Sequence, residues 1–295
     1  MPVELNLSIC IVNWNTRDYL ESCLRSLETY PANYTTEIIV VDNASTDDSV
    51  AMVQQDFPNV RLIQNTANFG YAKGNNQAVN AATGAYILLL NPDIVVHPNS
   101  LTDSMEFILS TPNTASLGCR LISPDGTTQM SVRGFPDPCA VLCEYLKLWC
   151  LAPKHRGIGA YRMRWFDYST TAKVDQPMGS YLLISRSAWE TVGPLDEQFP
   201  IFFNEVDWCE RAKRQFKFDI WYSGSIAVTH FGGGSTKQVR PEMIRESHRS
   251  LARYYDKHYS SRSNRLTIQT ILFAILLDEF AQVLKSKIRR SSMAQ

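Results

Sequence analysis

The sequence predicts a doubly wound α/β fold: a mostly parallel sheet with helices on both faces, followed by a C-terminal helical tail. Three observations lead there. Short apolar runs such as Glu37–Val41 (E-I-I-V-V) and Ala85–Leu90 (A-Y-I-L-L-L) read as strands buried on both faces. Between them lie segments of helical period, giving a β-α-β-α-β-α-β order. The runs also stop at polar groups, Asp42-Asn43 in one case and Asn91-Pro92-Asp93 in the other. Ligands of open α/β sheets bind at the carboxyl ends of the strands. Acids placed there suit a nucleotide and a metal ion better than they suit a fold.

Each element has its own reason. Leu7–Val12 is a first strand, ending at Asn13-Trp14-Asn15. Thr16 is suited to cap a helix whose Leu20, Cys23, Leu24 and Leu27 recur at i, i+3, i+4, i+7. Glu37–Val41 is the second strand. Ser45, with Asp48 three residues on, starts a second helix that turns Val50 and Val53 inward. Val60–Gln64 is a third strand, and Ala72–Thr83 a helix closed by Gly84. Ala85–Leu90 is the fourth strand, and Pro98 opens a helix carrying Leu101, Met105 and Ile108.

The second half is less regular. Gly118–Thr128 reads as a hairpin around Pro124-Asp125-Gly126. Residues 133–173 mix Pro, Gly, aromatic and basic residues without a period, as a substrate-facing excursion or a variable loop would. Tyr181–Ser185 resumes the sheet. Glu205–Gln215 is a helix with Val206, Cys209 and Phe216 inward, and Phe218–Thr229 supplies one or two strands before His230. The expected organisation is a catalytic domain over residues 1–240 and a helical extension over 241–295.

Composition narrows the function. The 295 residues are enough for one large domain or two modest ones. Lys+Arg and Asp+Glu balance at 29 each, so net charge gives no argument for a nucleic-acid partner. The start, M-P-V-E-L-N-L-S, has no basic segment before an apolar stretch, so no signal peptide is expected. None of the seven cysteines forms C-x-x-C, which fits reduced thiols in a cytoplasmic protein. The first strand–helix turn, V-N-W-N, lacks the glycines of a dinucleotide-binding turn, and no P-loop, H-E-x-x-H or G-x-S-x-G occurs. What remains for chemistry is carboxylates, asparagines and one placed histidine.

In order and spacing, I-V-N-W-N, V-V-D-N-A-S-T-D, N-F-G-Y-A-K-G-N-N, L-L-L-N-P-D, F-F-N-E-V-D-W-C-E-R and H-F-G-G-G-S resemble the family 2 glycosyltransferases. The likeness is to rhamnosyltransferase-like members that build bacterial surface polysaccharide, and it spans residues 5–255. The family implies a GT-A fold, a nucleotide-sugar donor, a divalent metal (Mg²⁺ or Mn²⁺) and inversion at the anomeric carbon.

The resemblance assigns roles residue by residue. Asp42 accepts a hydrogen bond from the N3–H of uracil or thymine, or else caps a helix. Asn13 and Asn15 stand with the donor at the end of the first strand. Asn68, Lys73 and Asn75 match the donor-side segment, although Lys73 reads equally as a solvated helix lysine. Asp93 matches the last acid of D-x-D and would hold the metal against the donor diphosphate. Asn91 replaces the first acid, which weakens the metal site or turns Asn91 toward the ribose. His230 is an acceptable ligand for Mn²⁺ and a poorer one for Mg²⁺. Lys237 and Arg240 either close over the diphosphate or are solvated loop charges. In the stretch Asn204-Glu205-Val206-Asp207, Glu205 maps to the catalytic base and Asp207 is the alternative. Gly179 leaves room for a sugar or only marks the start of a strand.

The expected function is inverting transfer of a sugar from a pyrimidine-nucleotide donor, dTDP-rhamnose or a UDP-sugar, to a hydroxyl of a glycan or lipid-linked acceptor. The alternatives are a non-catalytic nucleotide-sugar-binding module and a nucleotidyltransferase. The tail segment Leu266–Leu277 is uncharged, and Ile268, Ile271, Leu272, Ile275 and Leu276 recur at helical spacing between basic flanks. It reads either as a peripheral contact with the cytoplasmic face of a membrane or as a helix packed on protein.

Overall fold

The computed structural model describes residues 6–152, 155–233, 240–260 and 268–279. Lys237, the Arg240 side chain and the basic residues Arg262, Arg265, Lys285, Lys287, Arg289 and Arg290 that flank the tail lie outside the described residues.

The first half alternates as expected. It runs β1 (Leu7–Asn13), α1 (Arg17–Thr29), β2 (Thr36–Asp42), α2 (Ser49–Asp56), β3 (Arg61–Gln64), α3 (Gly70–Ala81), β4 (Tyr86–Leu90), β5 (Ile94–Val96) and α4 (Ser100–Ser110). The second half holds β6 (Thr114–Ile122), β7 (Val132–Arg133), α5 (Pro138–Tyr145), β8 (Ala172–Lys173), β9 (Gln176–Pro177), β10 (Tyr181–Ser185) and α6 (Arg186–Val192). Then come α7 (Asn204–Glu210), a π-helical turn at Arg211–Gln215, β11 (Asp219–His230) and α8 (Arg240–Tyr259). A last helix, α9, covers residues 268–279.

The main sheet has the order β3-β2-β1-β4-β10-β6-β11-β5, with β8 added beside β11. Strands β1 to β4, β6 and β11 share one direction; β5, β8 and β10 oppose it. Strand β2 lies on one side of β1 and β4 on the other, so the chain reverses its direction of winding beside β1. That switch opens a crevice at the strand ends. Two apolar layers sandwich the sheet because successive strand side chains point to opposite faces. Ile9 and Ile11 of β1 join the layer under α1, α2 and α4, while Cys10 joins the layer under α3, α6 and α7. Strand β4 divides in the same way, Leu88 and Leu90 against Ile87 and Leu89.

Several local expectations are corrected. Helix α2 starts at Ser49 rather than at Ser45, because the Ser45 hydroxyl is drawn into bonds with Asp42. The hairpin near Gly126 is a single bridge, Ile122 to Thr128; the strand instead extends back to Thr114 and pairs with β10 and β11. Phe216 is 41% exposed, since the π-helical turn after Glu210 shifts the face that would have carried it inward.

The tail is continuous with the body. Leu251, Tyr254, Tyr255 and Tyr259 of α8, with Ile271 and Ile275 of α9, are buried in the same apolar layer as Trp208 and Phe199. Of the apolar face read from the tail sequence, Ile268, Ile271, Leu272 and Ile275 pack on the chain itself, whereas Leu276 does not. Phe273, Leu276 and Leu277 stay on the outer side of α9 and are exposed. No helix among the described residues is long and apolar enough to cross a membrane.

Candidate active site

The carboxyl ends of β1 and β2 form the first wall. Strand register sets Asn13 beside Asp42, and both side chains are buried. The Asn13 amide donates to Asp42 Oδ1 at 2.9 Å, and Thr16 donates to Asn13 Oδ1 at 2.6 Å. Ser45 donates to Asp42 twice, from Oγ to Oδ1 at 2.6 Å and from its amide to Oδ2 at 2.9 Å. Asn15, held at φ 51°, accepts from the Thr46 amide at 2.7 Å and donates its own amide to Ser45 Oγ at 2.9 Å. Asp42 is thus fixed in one rotamer by three donated bonds, a preorganised carboxylate at the crevice edge. The Ser45 link was not foreseen; the S-T-D spacing reads as a helix cap in sequence and works here as a bracket.

The second wall begins beyond β4. Asn91 donates from Nδ2 to Ser180 Oγ at 3.2 Å, which aims it at β10. Asp93 is 5% exposed. Asn91, Pro92 and Asp93 turn the chain from β4 into β5, which pairs antiparallel with the end of β11 and sets Ile94 against His230. That pairing brings Asp93 Oδ1 to 3.5 Å from His230 Nε2. Gln129 grips the histidine at both ends: its Oε1 lies 2.7 Å from Nδ1, and its amide donates to the His230 carbonyl at 2.8 Å. Because Oε1 is only an acceptor, Nδ1 is the donor in this contact, which leaves Nε2 facing Asp93. A carboxylate oxygen and an imidazole nitrogen side by side suit a divalent cation that takes its other ligands from a donor diphosphate and water. No cluster of three or more ligating side chains occurs among the described residues.

The third wall is the start of α7. Glu205 sits over Gly179, where an added Cβ would lie 3.3 Å from the Glu205 Cβ and Cγ. That contact explains glycine at 179: a side chain would displace the carboxylate. Burial pushes the Glu205 carboxyl above its ordinary value, opposed by the first amides of α7 and by the charge of Arg133 on β7. Arg133 had no sequence signal beyond a basic residue in an irregular stretch. Tyr71 joins the walls. Its hydroxyl donates to the Gly179 carbonyl at 2.9 Å, and burial together with the charges of Glu205 and Asp93 holds the phenol protonated.

The other candidates have local partners. Asn68 is exposed and accepts the Gly70 amide at 2.9 Å, capping the turn into α3. Lys73 lies 4.3 Å from the centre of the Phe69 ring. Asn75 is fully buried and donates to the Tyr71 carbonyl at 3.0 Å, steadying the helix that carries Tyr71.

Asp207 is placed differently from Glu205. It is fully buried behind α7, where it meets His258 Nε2 at 2.8 Å, Lys257 Nζ at 2.7 Å and Arg211 Nε at 2.9 Å. Burial alone would raise its pKa; the His258 hydrogen bond and the Arg211 and Lys257 charges outweigh that and lower it to about 2. A carboxylate so held is a poor proton acceptor. Sequence proximity to Glu205 suggested a second base, but helical rotation turns it toward α8. Glu210 does the same one turn later, taking bonds from Tyr254 at 2.9 Å and Arg214 at 3.0 Å.

Comparison with known proteins finds likeness in both sequence and fold. N-acetylglucosaminyl-diphospho-decaprenol L-rhamnosyltransferase of Mycobacterium tuberculosis is 27% identical over 261 residues, covering 83% of this chain and 82% of that protein. Rhamnosyltransferase WbbL of Escherichia coli is 27% identical over 69% of this chain and 75% of its own length. In fold, the chain is similar to a mannosyltransferase from Pyrobaculum calidifontis solved with GDP-Man and Mn²⁺, at TM-score 0.58, 14% identity, and coverage of 92% of this chain and 69% of that one. It is also similar to Staphylococcus aureus TarS 1–349, at TM-score 0.53, 16% identity, and coverage of 94% and 72%. These neighbours make the sheet GT-A-like. Residues 8–171, more than half of the chain, match glycosyl transferase family 2, and the chain belongs to that family.

Proposed function

We propose that this chain is an inverting glycosyltransferase of polysaccharide synthesis, moving a sugar from a pyrimidine-nucleotide donor to a hydroxyl of a glycan or lipid-linked acceptor. What supports the reading is that Asp93 meets His230, that the charges of Asp93 and Glu205 both act on Tyr71, and that Asp42 ends β2 at the same carboxyl edge of the sheet. The relatives named rhamnosyltransferases favour dTDP-rhamnose as donor.

The residues divide the work. Asp42, Asn13 and Asn15 receive the pyrimidine, and Asn91 stands where a ribose would lie. Asp93 and His230 would hold a divalent metal, which when bound supplies charge neutralisation for the leaving diphosphate. Glu205 takes the proton of the acceptor hydroxyl as that oxygen attacks the anomeric carbon from the face opposite the nucleotide. Burial raises the basicity that this step needs. Gly179 leaves the space in which the acceptor hydroxyl approaches Glu205. Asp207 serves as the anchor of α7 to α8.

Attachment to the cytoplasmic face of a membrane would suit a lipid-linked acceptor. The exposed Phe273, Leu276 and Leu277 on α9, followed in sequence by Lys285, Lys287, Arg289 and Arg290, support it. Co-sedimentation with anionic liposomes tests this part; recovery of the full chain in the supernatant at low salt overturns it. The central reading is tested by nucleoside diphosphate release from a panel of dTDP-, UDP- and GDP-sugars with Mn²⁺. Release confined to a pyrimidine donor is expected. Absence of turnover with every donor, together with tight donor binding, would instead make the chain a binding module.

A further inference from the structure

The irregular excursion that follows β7 is anchored beside the proposed base. Gly134 donates its amide to the Tyr161 carbonyl at 3.0 Å, and a Cβ at 134 would stand 2.4 Å from the Ala160 carbonyl oxygen. Only glycine allows that approach. It brings together Arg133, which precedes Gly134, and Arg162, which follows Tyr161. On the other side, Arg133 pairs in register with Gln176 of β9, and the Ser131 carbonyl accepts the Met178 amide at 2.7 Å. The residue after Met178 is Gly179, the glycine under Glu205. Burial raises the Glu205 carboxyl most strongly, and Arg133 is near enough for its charge to oppose that rise.

The two guanidinium groups are short of counter-charge. Among the described residues, Arg133 makes no hydrogen bond and no close ion pair. Glu144 is gripped by Arg164, whose terminal nitrogens donate to its two oxygens at 2.9 and 2.8 Å. Arg162 reaches the same carboxylate only at 3.5 Å, and its Nε is buried without a hydrogen-bond partner. Asp175, beside Gly134, is taken by Lys213 Nζ at 2.6 Å and by the Phe135 amide at 3.3 Å. Burial first, and then the like charge of Arg133, push the Arg162 guanidinium below its ordinary value; the opposing charge of Glu144 acts less. Two cations held together in this way are relieved by an anion between them. Ser131, two residues before Arg133, is 3% exposed, and its Oγ also has no hydrogen-bond partner. A buried hydroxyl in that state costs free energy until a ligand or water meets it.

We propose that Arg133 and Arg162 form a subsite for the carboxylate of an acidic acceptor sugar, holding that sugar with one hydroxyl at Glu205. The proposal deepens the transferase reading and rests on it. A guanidinium fork matches the two oxygens of a carboxylate. The charges favour a carboxylate over a phosphate. With Glu205 ionised, Glu144 shared between Arg162 and Arg164, and Asp175 paired to Lys213, one positive charge is left over. A single carboxylate cancels it, whereas a phosphate dianion exceeds it. The donor's diphosphate is assigned elsewhere, to the Asp93–His230 pair.

The test is isothermal titration calorimetry on the full chain, with dTDP and Mn²⁺ saturating the donor crevice. The probe is methyl β-D-glucuronide, compared with the neutral methyl β-D-glucoside and with a glucose phosphate monoester. The glucuronide is expected to bind about tenfold or more tighter than the glucoside, as charge-assisted hydrogen bonds imply. R133M/R162M is expected to remove that preference while dTDP binding is unchanged. R133K/R162K keeps the charge but loses the forks, so it is expected to fall between the two. Loss of dTDP binding in R133M/R162M would mark a misfolded chain, and R162M, at a half-buried position, then carries the comparison. Equal binding of glucuronide and glucoside, or no binding of either, overturns the proposal. So does an undiminished preference in the methionine variants. So does displacement of the glucuronide by dTDP, which would put its carboxylate in the donor crevice. Tighter binding of the phosphate monoester overturns the choice of a carboxylate. If the preference appears and is lost as described but no donor is turned over, the transferase reading fails and the carboxylate subsite stands.

Discussion

Asp207→Asn separates two roles that lie two residues apart in sequence. The carboxylate takes His258 and Lys257 on one oxygen and Arg211 on the other, with no solvent exposure of its own. An asparagine keeps the shape, but its single oxygen cannot serve both sides. Kept toward His258 and Lys257, it turns its amide N–H against the Arg211 N–H. Removing one partner of a buried pair costs about 3–5 kcal/mol when the remaining charge is sealed from water. The Lys257 side chain is 33% exposed and Arg211 13%, so water recovers part of that. Holding the carboxyl at about 2 instead of 3.8 corresponds to about 2 kcal/mol. A loss of about 2–3 kcal/mol follows, which lowers Tm by roughly 4–12 °C in a protein of this size. The assay pairs thermal melts followed by circular dichroism with nucleotide release measured well below the new Tm. Turnover per folded molecule should stay near that of the unsubstituted chain. The pH dependence has a definite sign. A depressed pKa stabilises the fold fully above the unfolded value of 3.8, and that contribution is lost as pH falls toward about 2. The stability gap between the two proteins should therefore be constant at neutral pH and close over that acidic window. An unchanged Tm with kcat reduced by about 100-fold or more, the scale of a lost general base, would refute the reasoning and give Asp207 the catalytic role.

The remaining expectations address the crevice. Glu205→Gln should lower kcat by about 10²–10⁴-fold with donor KM nearly unchanged, as removal of a general base does. In the unsubstituted enzyme, activity should fall on the acid side through a pKa above the ordinary glutamate value of 4.5, because burial raises it and the base must be deprotonated. A rate flat through that region would count against Glu205. His230→Ala should abolish the rise in Tm that Mn²⁺ gives with a nucleoside diphosphate, and Asp93→Ala should do the same; retention of the full rise in both variants would remove the metal assignment. Gly179→Ala sets a Cβ 3.3 Å from Glu205 and should reduce kcat more than it reduces Tm; equal activity would show that the Glu205 position has slack.

Much of this protein was legible in the chain because its first half is built from local patterns. The run E-I-I-V-V has to be a strand covered on both faces, and β2 is one, with Asp42 at its end. The apolar period from Leu20 to Leu27 fixed the buried side of α1. The ordered set of polar motifs fixed the family. Their identity also pointed to Asp93 and His230, although 137 positions of sequence separate them. Tertiary structure alone decided their meeting, because it depends on β5 pairing antiparallel with the last residues of β11. No short-range signal marks a three-residue edge strand. The contrast between Glu205 and Asp207 was hidden for the same reason. Both are acids on one short helix, and only the packing of α8 decides that one faces the crevice and the other meets Lys257 and His258. The tail is the same case in apolar form. Its periodicity determined a helix with an apolar face, but the partner of that face was set by where α8 leaves the sheet. Periodicity records which side of an element avoids water, and long-range packing chooses what covers it.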